Sequence, residues 1–278
     1  MTTVVHSAQE LRHALVDSQR PRALVPTMGA LHAGHAELIS RARDQVGAAG
    51  QVVVSVFVNP LQFTDAADLE KYPVTSESDL ELMYRSGVDL AWLPAVSDIY
   101  PAAIPAQQFE PGPLGQILEG ASRPRHFAGM LTVVHRLLSW VEPDFAVFGE
   151  KDYQQLVLVR ELVAHSGLPV ELLAVPIVRD ADGLALSSRN SRLNAAARSV
   201  ALAIPRAISA GVAAAGSASD VEAAASAELR GLDVDYVRCL SSDLAPPPAS
   251  GIGRLLVAAV VGGVRLIDNA SVLLTEKS

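Results

Sequence analysis

The chain has 278 residues, half of them apolar, which is enough for one large domain and a smaller second one, each with a buried core. Lys and Arg number 22 against 30 Asp and Glu, so the formal charge is −8 and general affinity for a nucleic-acid backbone is disfavoured. The only cysteine, Cys239, lies in the apolar run VDYVRCL, which excludes a disulfide framework and a thiolate metal cluster and indicates a buried structural thiol.

No stretch of about 18 uninterrupted apolar residues is present, so the sequence predicts no membrane span. The first residues, MTTVVHSAQELRHAL, lack the basic segment followed by an apolar segment that is typical of a secretion signal. We therefore expect a cytoplasmic protein that acts neither at a membrane nor on nucleic acid.

Short, continuous apolar runs alternate along the first two-thirds of the chain with longer segments of helical period, which is typical of β-α units around a parallel sheet. The runs predicted as strands are Arg22–Val25, Gln51–Val58, Asp89–Leu93, Asp144–Phe148 and Val170–Val178. Ala36–Val46 and Asp152–His165 each place apolar side chains on one stripe, so we predict an amphipathic helix at each. The fold class predicted for residues 1–177 is therefore α/β, a doubly wound, Rossmann-like parallel sheet.

After the turn-like segment Asp180–Gly183 the composition changes, and an alanine-rich stretch of helical character runs from Asn194 to Arg230. The later runs RLLVAAVV and VRLID are separated by Gly262-Gly263, which predicts a β-hairpin. We therefore assign residues 178–278 to a smaller α+β C-terminal domain.

The segment PTMGALHAGH, Pro26–His35, lies between the first predicted strand and the first predicted helix. Ligands collect at the carboxyl ends of strands in an open α/β sheet, and a helix N-terminus there offers N–H groups and a positive dipole end to phosphates. Gly29 and Gly34 permit close approach of the backbone. His32 and His35 are three residues apart, so both rings can donate hydrogen bonds to the same phosphates. The alternative is that the two histidines only cap or pack the start of the helix.

No G-x-x-x-x-G-K-[ST] loop is present, so any bound phosphates are not held as in a P-loop enzyme. The His-x-Gly-His element at residues 32–35 resembles instead the signature of the nucleotidylyltransferase superfamily. That superfamily includes class I aminoacyl-tRNA synthetases and small adenylyltransferases, whose reactions take place at the α-phosphate of ATP. The motif alone identifies only the superfamily.

Three further segments resemble the pantothenate synthetase family, namely FVNPLQF at residues 57–63, FGEKDYQQ at 148–155 and SSRN at 187–190. Their order and spacing agree with that family, and the resemblance continues through RHFAGMLTVV and VDYV over nearly the whole chain. Leu186 departs from the family's pattern, which commonly has Met there, but the exchange conserves apolar volume. The resemblance implies an ATP-dependent ligase that joins pantoate to β-alanine through a pantoyl adenylate and releases AMP and pyrophosphate.

The residue types in these segments suit that chemistry. Lys151 is a compact cation that can stabilise a triphosphate, and the neighbouring Asp152 could hold the Mg²⁺ that accompanies ATP. An adjacent Lys and Asp are also common as a solvated surface pair. Residues Ser187–Arg189 offer two hydroxyls and a guanidinium to phosphates, or else form a polar turn before a helix that Asn194 caps.

Gln62 and Gln155 carry amides that can bind the hydroxyls and the carboxylate of pantoate without clamping that carboxylate in an ion pair. The resemblance implies that both glutamines line the pantoate pocket with Asn59, and that Gln62 also contacts β-alanine. Without the resemblance, Gln155 is simply an exposed residue in the first turn of a helix.

The resemblance also implies the remaining contacts. The residues expected to contact ATP are Met28, Gly29, Ala30, Leu31, His32, Ala33, Gly34, His35, Gly149, Glu150, Lys151, Asp152, Val178, Leu186, Ser187, Ser188 and Arg189. The residues expected to be catalytic are His32, His35, Lys151 and Arg189, with Asp152 as the metal ligand. We expect ATP as co-substrate, Mg²⁺, a homodimer, and a second domain that closes as a lid because a mixed anhydride hydrolyses in water. A further metal contact near Asp79 is left open.

Two alternatives stay open at this point. An adenylyltransferase of the same superfamily would release pyrophosphate but no AMP, and a non-catalytic ATP sensor would bind the nucleotide without turnover. In a non-catalytic sensor we expect some of the residues that stabilise phosphate charge to be replaced, whereas the two histidines, Lys151 and Arg189 are all present.

Overall fold

The computed structural model describes residues 2–16, 20–63, 69–70, 75–102, 107–214 and 216–276. The chain divides into two compact units, of which the first comprises Met1–Glu150 and Gln154–Pro176 and the second comprises Lys151–Tyr153 and Ile177–Ser278. Among the described residues, no helix is both long enough and apolar enough to cross a membrane.

The first unit is built around a parallel sheet. Within the described ranges this sheet has six strands, in the order β1-β4-β3-β2-β5-β6. The strands are β1 Thr3–Val5, β2 Arg22–Thr27, β3 Gln51–Val56, β4 Leu90–Trp92, β5 Phe145–Gly149 and β6 Glu171–Val175. The chain runs outward in opposite directions from β2 and from β5, so the predicted doubly wound, Rossmann-like sheet is confirmed.

Strand β1 is absent from the five strands that the sequence predicts. It has only three residues, too few to show a periodic apolar pattern. Its extended conformation comes from parallel pairing with β4, in the register Thr3↔Leu90 and Val5↔Trp92. A short edge strand of this kind covers β4, which would otherwise present unpaired main-chain groups.

The helices of the first unit are α1 Ala8–Val16, α2 Ala33–Val46, α3 Ser76–Arg85, α4 Val96–Ile99, α5 Glu119–Ser122, α6 His126–Val141 and α7 Tyr153–Ser166. Single 3-10 turns lie at Pro60–Gln62, Pro113–Gln116 and Glu150–Asp152. Helix α2 begins three residues before its predicted start at Ala36, because the His32 side chain accepts the N–H of Gly34 and caps the first turn.

Helix α2 packs on the sheet through Ile39, Ala42 and Val46, which recur at helical spacing and are at most 5% exposed. Their neighbours include Val25 of β2 and Val54 of β3, both inaccessible to solvent. Fully burying an aliphatic side chain contributes about 1.5–3 kcal/mol relative to leaving it exposed, so this layer is a main source of the first unit's stability.

The second unit contains an antiparallel sheet in the order β7-β8-β9. Its strands are β7 Asp233–Ser241, β8 Gly251–Val261 and β9 Val264–Leu274, and its helices are α8 Ala195–Ala201, α9 Ala203–Ala213 and α10 Ala218–Glu228. Gly262 and Gly263 join β8 to β9 with φ values of +57° and +75°, as a two-residue hairpin turn requires. The predicted hairpin and the α+β character of this part of the chain are confirmed.

The alanine-rich stretch forms three separate helices. Asn194 caps the first of them, since its side-chain oxygen accepts the N–H of Ala197 at 2.9 Å. Pro205 lies in the first turn of α9 and has no N–H to continue the hydrogen bonding of α8, so a new helix begins. Ser217 caps α10 together with Asp220, which separates α10 from α9.

Helices α9 and α10 pack against β8 around Ile204, Val221 and Leu255, each at most 1% exposed. Cys239 of β7 belongs to the same core and is also 1% exposed. Burial and the nearby Glu222 carboxylate raise the pKa of the Cys239 thiol to about 11. The thiolate is therefore scarce at neutral pH, and the interpretation of Cys239 as a buried structural thiol is confirmed.

Residues Lys151–Tyr153 pack with the second unit although they connect β5 to α7. The Arg254 guanidinium lies 3.8 Å above the ring of Tyr153. The side-chain amide of Asn269 donates a hydrogen bond to the carbonyl of Lys151 at 3.1 Å, across 118 residues of sequence. The domain boundary drawn from the sequence at residue 177 leaves these three residues in the first domain, because position along the chain does not show such distant contacts.

Candidate active site

The carboxyl ends of β2 and β5 lie side by side. The two strands pair in parallel, in the register Ala23↔Phe145 and Leu24↔Ala146. Strand β2 leads into the loop of residues 28–32 and then into α2, whereas β5 ends at Gly149. Two of the segments singled out in the sequence therefore start where the strand order reverses, which is where ligands bind in sheets of this class.

The buried carboxylate of Asp79 holds the loop that follows β2. Asp79 is 2% exposed, and its oxygens accept the N–H of Ala30 at 3.0 Å and the N–H of Leu31 at 2.8 Å. The hydroxyl of Thr75 donates to the same carboxylate at 2.9 Å. Gly29 has a φ of +88°, and a Cβ there would lie 3.1 Å from the Asp79 carboxylate. The residue that the sequence leaves open as a metal contact thus receives hydrogen bonds that fix the loop.

His32 and His35 lie together at the N-terminus of α2, with ring centroids 4.2 Å apart. The Nδ1 of His32 accepts the N–H of Gly34 at 3.1 Å, and the Nδ1 of His35 accepts the N–H of His32 at 3.2 Å. A nitrogen that accepts carries no proton, so in each neutral ring the proton lies on Nε2. The two histidines therefore cap the helix and also carry Nε2–H donors, which reconciles the structural and the functional interpretation.

Asn59 is fully buried and orients the side chain of Gln62. Its Nδ2 donates to Oε1 of Gln62 and to the carbonyl of Gly129, both at 3.0 Å, while its Oδ1 accepts the hydroxyl of Tyr100 at 2.8 Å. Burial raises the pKa of Tyr100, so its hydroxyl remains a donor. These contacts turn the oxygen of the Gln62 amide toward Asn59 and make its Nε2 the group that can donate to a ligand. Asn59 itself, expected to line the pocket, lies behind Gln62.

His126, the first residue of α6, holds the main chain of Gln62. Its Nδ1 lies 3.0 Å from the carbonyl oxygen of Gln62, and its Nε2 lies 3.2 Å from Nη1 of Arg123. A carbonyl only accepts and a guanidinium only donates, so Nδ1 carries the proton of a neutral ring. Neither His126 nor Arg123 is among the candidates taken from the sequence, since their charge alone does not reveal a contact with a main-chain carbonyl.

The adjacent glutamines of α7 differ in exposure. Gln154 is 2% exposed, and its Oε1 accepts the N–H of Glu119 at 3.0 Å. Its Nε2 donates to the carbonyls of Leu114 and Ile117. Gln155 is partly exposed in the first turn of the helix. Gln154 therefore fastens α7 to the segment before α6, and Gln155 is the member of the pair that a ligand can reach.

In the second unit, Lys151, Ser187 and Arg189 line one cleft. Ser187 caps the 3-10 turn Ser188–Arg192, because its Oγ accepts the N–H of Arg189 at 3.2 Å. The backbone that leads into this turn is ordered by a hydrogen bond from the N–H of Leu186 to the carbonyl of Val178 at 2.9 Å. This hydrogen bond joins two residues that are predicted to contact ATP.

The cleft carries more positive than negative charge. Arg265 of β9 also lines the cleft. The sequence does not indicate this, because the segment that contains Arg265 is explained by the predicted hairpin alone. Asp268 lines the cleft as well, but Arg179 donates to both oxygens of this carboxylate, at 2.7 and 2.9 Å. Arg265 is balanced in the same way, because its Nε donates to the carboxylate of Asp235 at 2.9 Å. With Asp268 paired to Arg179 and Arg265 paired to Asp235, Lys151 and Arg189 supply the positive charge that favours an anionic ligand.

Asp152 is exposed at the end of the 3-10 turn, next to Lys151. The described part of the chain contains no cluster of three or more His, Cys, Asp or Glu side chains that could hold a metal ion. Those residues therefore offer no all-protein Mg²⁺ cage. A Mg²⁺ that accompanies a nucleotide needs only one or two carboxylates, because phosphate oxygens and waters supply the other ligands, and Asp152 fits that arrangement.

The predicted site residues thus form several local groups. The structure brings together His32 with His35 and Asn59 with Gln62 in the first unit, and Lys151 with Ser187 and Arg189 in the second. Gly149 and Glu150 stand at the end of β5, and Gln155 stands on α7.

The chain resembles proteins of known function over nearly its whole length. The family model described as Pantoate-beta-alanine ligase matches residues 3–271. The pantothenate synthetase of Nocardia farcinica is 54% identical over 261 residues, which make up 92% of this chain and 80% of that protein. The solved pantothenate synthetase of Thermus thermophilus has a TM-score of 0.89 at 43% identity, covering 97% of this chain and 99% of that one. The pantoate-β-alanine ligase of Francisella tularensis, solved with β-γ ATP and β-alanine, has a TM-score of 0.80 at 33% identity and covers 97% of both chains.

Removal of the Asp79 carboxylate would leave two partly buried main-chain N–H groups without their acceptor. We expect Asp79→Ala to lower the free energy of unfolding by about 2–4 kcal/mol, and Asp79→Asn by less, because an amide retains one acceptor oxygen. Urea denaturation measures the loss, and hydrogen exchange at the Ala30 and Leu31 amides should become faster. Glu81→Gln, at an exposed position of the same helix, is the matched control and should change neither quantity. Parental stability and exchange in Asp79→Ala would show that another group holds the loop.

Proposed function

The chain belongs to the pantoate-β-alanine ligase family, and we propose that it joins pantoate to β-alanine through a pantoyl adenylate with the side chains described above. ATP-dependent ligation of these two substrates is the activity of the family, and the adenylate is its general intermediate. The observation that carries the assignment to individual residues is the cleft in which Lys151, Ser187 and Arg189 converge. An ammonium, a hydroxyl and a guanidinium are donors suited to a polyphosphate.

Several groups of donors are assigned to the triphosphate of ATP. In the first unit the N-terminus of α2 contributes its dipole, and His32 and His35 contribute Nε2–H groups. The loop before them offers a close main-chain approach, which the hydrogen bonds to Asp79 hold in place. The remaining predicted ATP contacts, Gly149 to Asp152, Val178 and Leu186 to Arg189, are assigned to the same nucleotide.

In the first step a carboxylate oxygen of pantoate attacks the α-phosphorus. The bond from this phosphorus to the bridging oxygen of the leaving pyrophosphate breaks, and pyrophosphate takes the electron pair. Negative charge grows on the phosphate oxygens, where Lys151, Arg189 and the two histidines of α2 stabilise it. Because these donors are placed before the reaction, little reorganisation is needed as the charge develops.

Pantoate is bound by amides. Gln62 presents Nε2 because Asn59 occupies its oxygen, and Gln155 is accessible in the first turn of α7. A neutral donor orients the pantoate carboxylate but withdraws less electron density from it than a cation would, so the carboxylate remains a good nucleophile. Gln62 is also assigned to β-alanine, whose amine must approach the acyl carbon of the same adenylate.

In the second step the unprotonated amine of β-alanine attacks the acyl carbon of pantoyl adenylate. The bond between this carbon and the phosphate oxygen breaks, AMP leaves, and the nitrogen loses a proton to give the amide. No covalent bond to the protein is needed, which is consistent with the burial and the raised pKa of Cys239. Since the mixed anhydride hydrolyses in water, residues 178–278 are assigned the role of a lid during turnover.

Asp152 would hold the Mg²⁺ that accompanies ATP, and that ion would supply neutralisation of phosphate charge when it is bound. A homodimeric state and a cytoplasmic location are also part of the proposal. The homodimeric state is carried over from the family resemblance rather than from any contact within one chain.

The reaction class is tested by its products. With pantoate, β-alanine and ATP together, we expect one AMP and one pyrophosphate for each amide formed, and with pantoate alone we expect labelled pyrophosphate to exchange into ATP. Coupled detection of AMP and isotope exchange measure the two outcomes. Pyrophosphate without AMP would indicate an adenylyltransferase, ATP binding without either product would indicate a sensor, and exchange that requires β-alanine would contradict a free-standing adenylation step.

Substitution of Lys151 tests whether this residue is a catalytic cation or a surface charge. If its ammonium stabilises phosphate charge as the transition state forms, Lys151→Ala should cost about 3 kcal/mol, or roughly a hundredfold in kcat, with little change in folding. Adenylation should be the affected step, while chemically prepared pantoyl adenylate should react with β-alanine nearly as in the parent. Single-turnover kinetics of each half-reaction measure this, with thermal unfolding as the control. A loss below about threefold in adenylation by the folded variant would remove Lys151 from the catalytic residues.

The adjacent glutamines of α7 provide a matched pair of substitutions. Gln155→Ala should raise the KM for pantoate or lower kcat, with ATP binding near normal and little change in stability, because Gln155 is assigned to pantoate. Gln154→Ala should instead lower the free energy of unfolding by about 1–3 kcal/mol, because three main-chain groups lose their buried partner. Steady-state kinetics, ATP titration and urea denaturation distinguish the two. A comparable loss of ATP affinity in Gln155→Ala would contradict the assignment to pantoate.

A further inference from the structure

The main chain at Lys151 is held by buried polar side chains of the second sheet. Nδ2 of Asn269 donates to the carbonyl of Lys151 at 3.1 Å, and Nη1 of Arg254 donates to Oδ1 of Asn269 at 3.0 Å. Asn269 on β9 is 3% exposed and Arg254 on β8 is 7% exposed. A polar group at such burial is costly unless it is hydrogen-bonded, so these contacts restrict both side chains to one arrangement.

Tyr153, which directly follows the 3-10 turn Glu150–Asp152, is also held by residues of the second unit. The guanidinium of Arg254 lies 3.8 Å above its ring, and its hydroxyl donates to the carbonyl of Ser242 at 2.8 Å. Tyr153 is 4% exposed, so this cation-π contact is shielded from water and correspondingly strong. The residues on both sides of Asp152 are therefore tied to the second sheet, and Arg254 takes part in both attachments.

The same network reaches the wall of the cleft. The N–H of Asn269 donates to Oδ1 of Asp268 at 2.8 Å, and Asp268 lines the cleft together with Lys151. The bidentate contact from Arg179 holds the Asp268 carboxylate in turn. Hydrogen bonds of Asn269 thus reach both Asp268 of the cleft wall and the carbonyl of Lys151, which also lines the cleft.

We infer that Asn269 and Arg254 are positioning residues for the adenylation step, which act by fixing the main chain from which the Lys151 side chain extends. The inference rests on the proposed catalytic function of Lys151. A lysine ammonium is a point charge on a flexible stem, so its distance from a phosphate depends on where its own main chain is held. A misplacement of about 1 Å in a catalytic group can cost up to roughly a hundredfold in rate. Neither Asn269 nor Arg254 needs to touch a substrate for this effect.

Asn269→Leu, alone and combined with Lys151→Ala, tests the inference. Leucine has the same branching at Cγ but cannot donate to the Lys151 carbonyl. We expect pantoate-dependent pyrophosphate exchange to fall about tenfold or more in Asn269→Leu, and the reaction of prepared pantoyl adenylate with β-alanine to change by less than about twofold. In the Lys151→Ala background Asn269→Leu should cause almost no further loss, because a residue that acts through Lys151 cannot act once the ammonium is gone.

Val221→Ala is the matched control, since it disturbs the core of the same unit at a fully buried site away from the network. At a temperature where both variants are folded, it should leave the exchange rate unchanged. If Asn269→Leu does not fold, Asn269→Asp replaces it, because aspartate keeps the acceptor for Arg254, removes the donor to Lys151 and adds a charge that pairs with the Arg254 guanidinium.

Three results would overturn the inference. One is a parental exchange rate in a folded Asn269 variant, and another is an equal loss in the presence and absence of the Lys151 ammonium, which would mean that Asn269 acts by a separate route. The third is a full exchange rate in Lys151→Ala alone. That result would also remove the proposed role of Lys151, whereas the first two leave that role intact and so separate the failure of the inference from the failure of the proposed function.

Discussion

The reversal of strand order between β2 and β5 constrains the whole first unit. The chain leaves β2 toward β3 on one side and leaves β5 toward β6 on the other, and right-handed crossovers then place the connecting helices α2 and α7 on opposite faces of the sheet. Both helices begin beyond the carboxyl ends of the two central strands, so the loop of residues 28–32 and Gly149 lie at the same edge of the sheet. The His-x-Gly-His loop and the segment after β5 are candidates for ligand binding because this topology starts both of them at the same edge of the sheet.

A topology positions segments to within several ångströms, and buried polar side chains supply the remaining precision. Asp79 fixes a loop, Asn59 sets the direction of an amide, Gln154 secures a helix, and Asn269 holds a carbonyl. Each is at most 3% exposed. Burial makes an unpaired arrangement expensive, so a side chain of this kind stabilises one conformation of its partner rather than many. The groups that we propose to meet a ligand, such as Nε2 of Gln62, are then preorganised by buried side chains behind them.

The sequence predicts what depends on local pattern. Continuous apolar runs are sufficient for the central strands, Gly262-Gly263 for the hairpin, and a spacing of three residues for the proximity of His32 and His35. It does not predict Asp79 or Asn269, because their partners are main-chain atoms 48 and 118 residues away and any residue can supply those. The division of the alanine-rich stretch into three helices is only partly predictable from the sequence. Pro205 and Ser217 are residues typical of helix starts, but packing against β8 decides that the chain turns there.

The distribution of charge follows the needs of the two substrates. The chain carries a formal charge of −8, yet the proposed triphosphate site collects Lys151 and Arg189, while pantoate is assigned to glutamines. A cation beside the pantoate carboxylate would bind the ground state more tightly, but the carboxylate loses its negative charge as it attacks, so that interaction would weaken toward the transition state and slow the reaction. A cation beside the phosphates gains interaction as charge grows on the leaving pyrophosphate. The same physical argument therefore places amides at one end of the reacting bond and cations at the other, and it explains why the cations in particular must be held in a fixed position.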